Sequence, residues 1–198
     1  MNLPNKLTIF RIILVPIMAI IPFFNFDIKW IVIDIIFIIA SLTDKLDGYI
    51  ARSKNQVTTF GKFLDPIADK ILVLAAMIIL VEANKLPSII PIIVMFREFI
   101  VSGYRLIAVE KGGKVIAASI WGKLKTVTQM IAIILAFLDQ NGFAQCFVGG
   151  ITGFAWWFNF VTTVLMSISV IATIFSGCDY LIKGKDIFKE EVKTDGQK

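Results

Sequence analysis

Residues 71–81, ILVLAAMIILV, form an apolar run of 11 residues. As a helix the run is about 17 Å long, little more than half of a bilayer's ~30 Å hydrocarbon core. To cross, that helix must begin near Gly61 and take Asp65 and Asp69 with it. The run at 30–43 has the same difficulty and reaches full length only through Asp44 and Asp47. Four carboxylates are therefore expected inside spanning helices, where charge is costly and needs a reason.

Composition supports the membrane premise. The 198 residues are 57% hydrophobic with a mean hydropathy of +0.81, well above soluble norms. The reading is an all-α, polytopic membrane protein with six transmembrane helices, at about 7–26, 29–52, 61–83, 87–109, 120–139 and 150–182. A single integral-membrane catalytic domain is expected over 1–198, with 183–198 as a solvated cytoplasmic tail, weakly helical or disordered. No signal peptide is expected, because the first apolar run is too long and no small-residue cleavage site follows it. Phe154, Trp156, Trp157 and Phe158 suit an interfacial belt.

Of the 20 Lys and Arg, 18 fall on one side of this topology; Lys29 and Lys85 alone fall on the other. That asymmetry places both termini and the 53–60 loop in the cytoplasm. It also accounts for the net charge of +5 without a nucleic-acid partner. Cys146 and Cys178 fall on opposite sides, so no bridge is expected, and neither has the companions of a zinc site. The chain has no histidine, which leaves a carboxylate as the natural general base.

Asp44 and Asp47 are spaced i, i+3 and Asp65 and Asp69 i, i+4, so each pair shares a helix face. A short loop joins their helices, and both pairs sit about 6–12 Å inside the cytoplasmic ends. Four converging anions in low dielectric need protons, cations or metal. Lys45, Arg52, Lys62 and Lys70 are near in sequence but snorkel readily to water. A hard divalent ion fits best, since the donors are oxygens alone. Four such ligands suit two ions, an arrangement used in phosphoryl chemistry. Gly48, Ala51, Gly61 and Ala68 share these faces and leave room for a ligand, although close helix packing also explains small residues.

Asp44-x2-Asp47-Gly48-x2-Ala51-Arg52-x8-Gly61-x3-Asp65-x3-Asp69 matches the signature of the CDP-alcohol phosphotransferase family at all eight fixed positions. The chain is identified on that ground as resembling this family, whose six-helix fold would cover essentially its whole length. The start MNLPNKLTIFRI, the extended motif through FGKFLDPIADK, FRE at 96–98 and WGKLKT at 121–126 resemble the branch that transfers a phosphatidyl group from CDP-diacylglycerol to sn-glycerol 3-phosphate, releasing CMP. The resemblance implies that Asp44, Asp47, Asp65 and Asp69 bind two divalent cations, Mg²⁺ or Mn²⁺, and that Asp69 is the catalytic base. It implies a nucleotide site lined by Gly48, Ala51 and Arg52 with Gly61 at its edge, and a homodimer in the cell membrane with its active site on the cytoplasmic side.

Glycerol 3-phosphate is a dianion and needs cations. Arg97, Arg105 and Lys123 are expected to bind it, with Lys62 and Lys125 as further candidates. Lys123 and Lys125 are two apart and cannot face one site from a regular helix. The competing reading is an Arg97–Glu98 contact network with ordinary juxtamembrane lysines. Asn5, Thr8 and Arg11, at i, i+3 and i+6, suit contacts to the nucleotide or pyrophosphate. They equally suit a helix cap followed by an interfacial arginine. Asp34 is expected to be interfacial or paired.

Other acceptors, namely inositol phosphate, serine or phosphatidylglycerol, stay open, because the signature does not separate them. A divalent-cation channel or transporter also explains an acidic ring. It does not explain the Gly48–Ala51–Arg52 spacing.

Overall fold

The computed structural model describes residues 3–53, 59–110 and 120–194. For residues 3–4, 45–53, 59–60, 62–63, 106, 108–110 and 183–194 it describes the backbone alone. The described chain is all helix: α1 Leu3–Ile20, α2 Lys29–Ser53, α3 Thr59–Glu82, α4 Ile89–Glu110, α5 Ile120–Leu138, the single turn α6 Gln145–Val148, and α7 Gly153–Thr194. The expected helix bounds coincide with those of α1–α5 and α7 to within a few residues at most ends.

Two ends differ. Helix α1 starts and stops earlier than expected, passing through a 3-10 turn at Ile21–Phe23 into extended backbone at Phe24. Helix α7 runs on to Thr194, so most of the expected solvated tail continues the last helix. Residues 183–194 contain no proline and are rich in Lys and Glu, which explains why the helix is not broken there.

The chain divides into two compact units, Met1–Ser88 with Met130–Thr163, and Ile89–Gln129 with Val164–Lys198. Helices α5 and α7 are shared between them. In the first unit α1 packs on α2 and α3. Met18, Ile33, Phe37, Leu72, Met77, Leu80 and Ile133 are fully buried there, with Phe37 and Phe137 ring to ring at 6.3 Å.

One end of this unit is tied by polar contacts. Lys85 Nζ donates to the Phe137 carbonyl (3.0 Å) and lies over the Trp30 ring, 4.8 Å from its centroid. Asn159 donates to Asp139 Oδ2 and to the Gly142 carbonyl, both at 2.9 Å, and accepts from the Cys146 N–H. A Cβ on Gly142 would meet the Asn84 carbonyl oxygen at 3.2 Å, so only glycine allows that approach without a shift. Both cysteines are free thiols.

In the second unit α4 packs with the start of α5 and the later part of α7. Val94, Val101 and Ala172 are buried, and Trp121 stacks on Phe175 at 5.1 Å.

The distribution of polarity suits a lipid solvent. Phe10, Ile13, Ile17 and Ile20 form an exposed stripe on α1, and Ile31, Ile35 and Ile39 form one on α2. Thr8, Arg11, Asn159, Thr163, Ser169, Thr173 and Ser176 are buried. Apolar surface outside and polar groups inside is how helices pack in a bilayer. Three helical segments, Asn5–Phe23, Ile120–Leu138 and Gly153–Ile182, are long and apolar enough to cross a membrane. Helices α2, α3 and α4, at 25, 24 and 22 residues, are also long enough, but each carries at least three charged residues.

Candidate functional site

Thr8 and Arg11 are three residues apart on α1 and share one face. Thr8 Oγ1 donates to Asp65 Oδ1 on α3 at 2.6 Å. Arg11 Nη1 pairs with Asp44 Oδ1 on α2 at 2.7 Å. Three residues of α1, about 4.5 Å of rise, thus gather an acid from each of the two motif helices. Asn5, one turn earlier, is buried with them. Arg11 is fully buried, so it is not the interfacial arginine of the simpler reading.

Asp69 is exposed one turn beyond Asp65, and Gly61 is buried one turn before it. Pro66 sits between the two acids and has no N–H, which removes one rung of the helix ladder there. The side chains of Asp47, Gly48, Ala51, Arg52 and Lys62 lie outside the described residues. Among the described residues no group of three or more Asp, Glu, Cys or His is close enough to hold a metal ion. The donors that α1 draws together, Asp44 and Asp65, present carboxylate oxygens. That donor set suits a hard divalent cation and offers nothing to a soft one.

The second unit holds a separate cluster of cations. Arg97 Nη1 pairs with Glu98 at 2.8 Å, and Arg97 Nη2 donates to Ser176 Oγ at 2.6 Å. Lys125 is buried and pairs with the same Glu98 oxygen at 2.6 Å, whereas Lys123 is exposed. The two lysines therefore face apart, as their spacing requires. The Arg97–Glu98 network of the competing reading is present, and Lys125 belongs to it. Arg105 Nη2 donates to Tyr180 Oη at 2.9 Å. The Tyr180 ring centroid lies 5.8 Å from the Arg97 guanidinium carbon and 5.7 Å from that of Arg105. In this group three cations face one acid, leaving a surplus that matches the charge of a phosphate monoester dianion.

Ser176 and Tyr180 were not among the expected site residues. The available signal was their i, i+4 spacing as polar groups in an apolar span. Asp34, expected to be interfacial or paired, is instead 3% exposed, and its Oδ1 has no hydrogen-bond partner among the described residues. Its place beside buried Ile33 and Phe37 on α2 puts it inside the helix packing.

The family model for CDP-alcohol phosphatidyltransferases matches residues 1–175. A CDP-diacylglycerol–glycerol-3-phosphate 3-phosphatidyltransferase of Bacillus subtilis (strain 168) is 40% identical over 200 residues, covering 95% of this chain and 97% of its own. Proteins of the same name from Haemophilus influenzae (37% identical, covering 97% of this chain and 98% of their own length) and Rickettsia typhi (36%, covering 94% and 99%) are also similar. The chain belongs to the CDP-alcohol phosphatidyltransferase family.

Proposed function

We propose that this chain transfers the phosphatidyl group of CDP-diacylglycerol to sn-glycerol 3-phosphate, giving phosphatidylglycerol phosphate and CMP. The observation that carries the reading is the gathering of Asp44 and Asp65 by one face of α1, in a chain that matches its curated relatives over nearly their full length.

Asp44, Asp47, Asp65 and Asp69 would hold two divalent ions, Mg²⁺ or Mn²⁺. Bound there, these ions supply charge neutralisation for the pyrophosphate and for CMP as it leaves. Arg11 and Thr8 hold the carboxylates of Asp44 and Asp65 in place for those ions. Asp69, exposed and without a histidine competitor, takes the proton of the attacking hydroxyl. The hydroxyl oxygen bonds to the lipid-side phosphorus as the bond to CMP breaks, and CMP departs with the electron pair. Gly48, Ala51, Arg52, Gly61, Asn5 and Thr8 form the nucleotide site in this reading. Arg97, Arg105 and Lys123 bind the acceptor phosphate, with Lys62 and Lys125 contributing charge.

All six long helices cross the membrane in this reading. Both termini and the active site lie on the cytoplasmic side, as the 18-to-2 split of basic residues supports. A tail at 183–198 follows a single catalytic domain, and the protein acts as a homodimer.

The test is CMP release by the purified protein with Mg²⁺ or Mn²⁺, offering glycerol 3-phosphate, inositol phosphate, serine and phosphatidylglycerol separately, with Asp69→Asn as control. Release with glycerol 3-phosphate alone, lost in Asp69→Asn, is the expected result. Release with another acceptor keeps the chemistry and overturns the acceptor; no release from folded protein overturns both.

A further inference from the structure

We infer that Tyr180 is a positioning residue for the acceptor phosphate, fixing Arg97 and Arg105 as a pair; this rests on the reading of those arginines as the phosphate ligands. Tyr180 is 1% exposed, among the largest side chains so completely buried. Its ring serves both arginines, each guanidinium lying within the roughly 6 Å reach of a cation–π contact. Its hydroxyl accepts from Arg105 at 2.9 Å.

Helix α7 reinforces the arrangement one turn earlier. Ser176, fully buried, accepts from Arg97 at 2.6 Å. The Arg97 stem lies against the helix at Gly177, where an added Cβ would sit 3.4 Å from Arg97 Cγ, at van der Waals contact. So α7 presents Ser176, Gly177 and Tyr180 to two arginines that lie eight residues apart on α4.

The choice of an aromatic ring has a chemical reason. Two guanidinium groups brought near one another repel. A carboxylate between them would relieve the repulsion and also neutralise the charge that a dianionic ligand needs. A tyrosine ring attracts both cations through its quadrupole and carries no net charge. Arg105 has no acidic partner among the described residues, and its side chain is exposed. It is held in place yet keeps its full charge for a ligand. Arg97 also pairs with Glu98, so Tyr180 matters most for Arg105.

The experiment compares wild type, Tyr180→Phe and Tyr180→Leu as full-length protein. Initial rates of CMP release are measured against glycerol 3-phosphate and, separately, against CDP-diacylglycerol. Tyr180→Phe keeps the ring and loses one hydrogen bond, so its KM for glycerol 3-phosphate is expected to rise about 3- to 10-fold. Tyr180→Leu loses both ring contacts as well and is expected to rise further, to about 30-fold or more. The KM for CDP-diacylglycerol stays within about two-fold in both, and thermal melting of Tyr180→Phe stays near wild type. An unchanged KM for glycerol 3-phosphate in both variants overturns the proposal while leaving the activity standing. Parallel rises in both KM values also overturn it, since a ring kept only for packing predicts that pattern. Wild-type protein inert toward glycerol 3-phosphate overturns the activity, and the positioning role with it.

Discussion

Arg11 on α1 and Asp44 on α2 form a 2.7 Å ion pair with unequal partners: the Arg11 side chain is wholly buried and that of Asp44 is 38% exposed. Removing either charge therefore has different consequences. Asp44→Asn leaves a guanidinium in the interior without its acid. Arg11→Met leaves an acid that can still reach water, and fills the vacated space with apolar atoms. In chelator, Asp44→Asn should destabilise by about 1–3 kcal/mol, between the cost of breaking an exposed ion pair and that of a fully buried one. The roughly 3–5 kcal/mol of a fully buried pair is not expected, because solvent screens Asp44. Arg11→Met should cost less. Thermal or denaturant melts in one detergent rank the two; the reverse order would mean that Asp44 is not Arg11's principal counter-charge.

Thr8 offers a way to weaken metal binding without removing a ligand. Its hydroxyl fixes Asp65 Oδ1 at 2.6 Å, and Thr8→Val keeps the shape while deleting the donor. Loss of such an outer-shell partner commonly costs about 10- to 100-fold in metal affinity or activity. The concentration of Mn²⁺ giving half-maximal CMP release should rise by that factor, with kcat at saturating metal largely restored. In wild type, metal at about 100 times its Kd should stabilise the fold by about 2.7 kcal/mol, and chelator should abolish both this and activity. An unaltered metal requirement in Thr8→Val would leave Thr8 only the nucleotide site or helix packing.

Lys85, in the loop between α3 and α4, gives a pH signature. Burial pushes its ammonium below the usual 10.5, and the attraction of Asp139 opposes that only in part. The neutral amine is thus favoured by folding. Between the folded pKa and 10.5 the unfolded chain binds more protons, so stability rises with pH across that window. Below the folded value the penalty of burying the charge is fully present. Lys85→Met should therefore show the smallest loss relative to wild type at lower pH and a growing loss as pH climbs toward 10.5, where the neutral amine still donates to the Phe137 carbonyl. Melts from pH 7 to 10.5 decide this; a difference that does not change with pH would mean Lys85 titrates as if in water.

The motif helices were legible in the sequence for a physical reason. A run of 11 apolar residues cannot span, so α3 had to start near Gly61, and it starts at Thr59. The contribution of α1 was only half legible: the i, i+3, i+6 spacing of Asn5, Thr8 and Arg11 exposed a polar face, but not which acids it meets. Partners between helices distant in sequence, such as Arg97 with Ser176, depend on helix rotation and depth. An apolar span such as α7 gives no periodic signal for either, since its surface faces lipid and its interior is nearly as apolar. The reach of α7 to Thr194 stayed open in the sequence, between weak helix and disorder, because a charged segment reads as solvated whether or not it stays helical.

Asp34 tests whether every buried acid in this chain serves the reaction. It is 3% exposed, and its Oδ1 has no partner among the described residues, whereas Asp44 and Asp65 are both held from α1. A buried, unsatisfied polar atom costs about 1–3 kcal/mol, and a charged one more. If Asp34 has no part in the chemistry, Asp34→Asn should raise the melting temperature and leave kcat/KM within about two-fold. The same substitution at Asp65 should remove activity while lowering or barely changing stability. A stabilised but inactive Asp34→Asn would show that the chain tolerates this strain for function and would bring Asp34 into the catalytic machinery. A destabilised one would mean that its other oxygen makes a contact whose value exceeds the cost of burial.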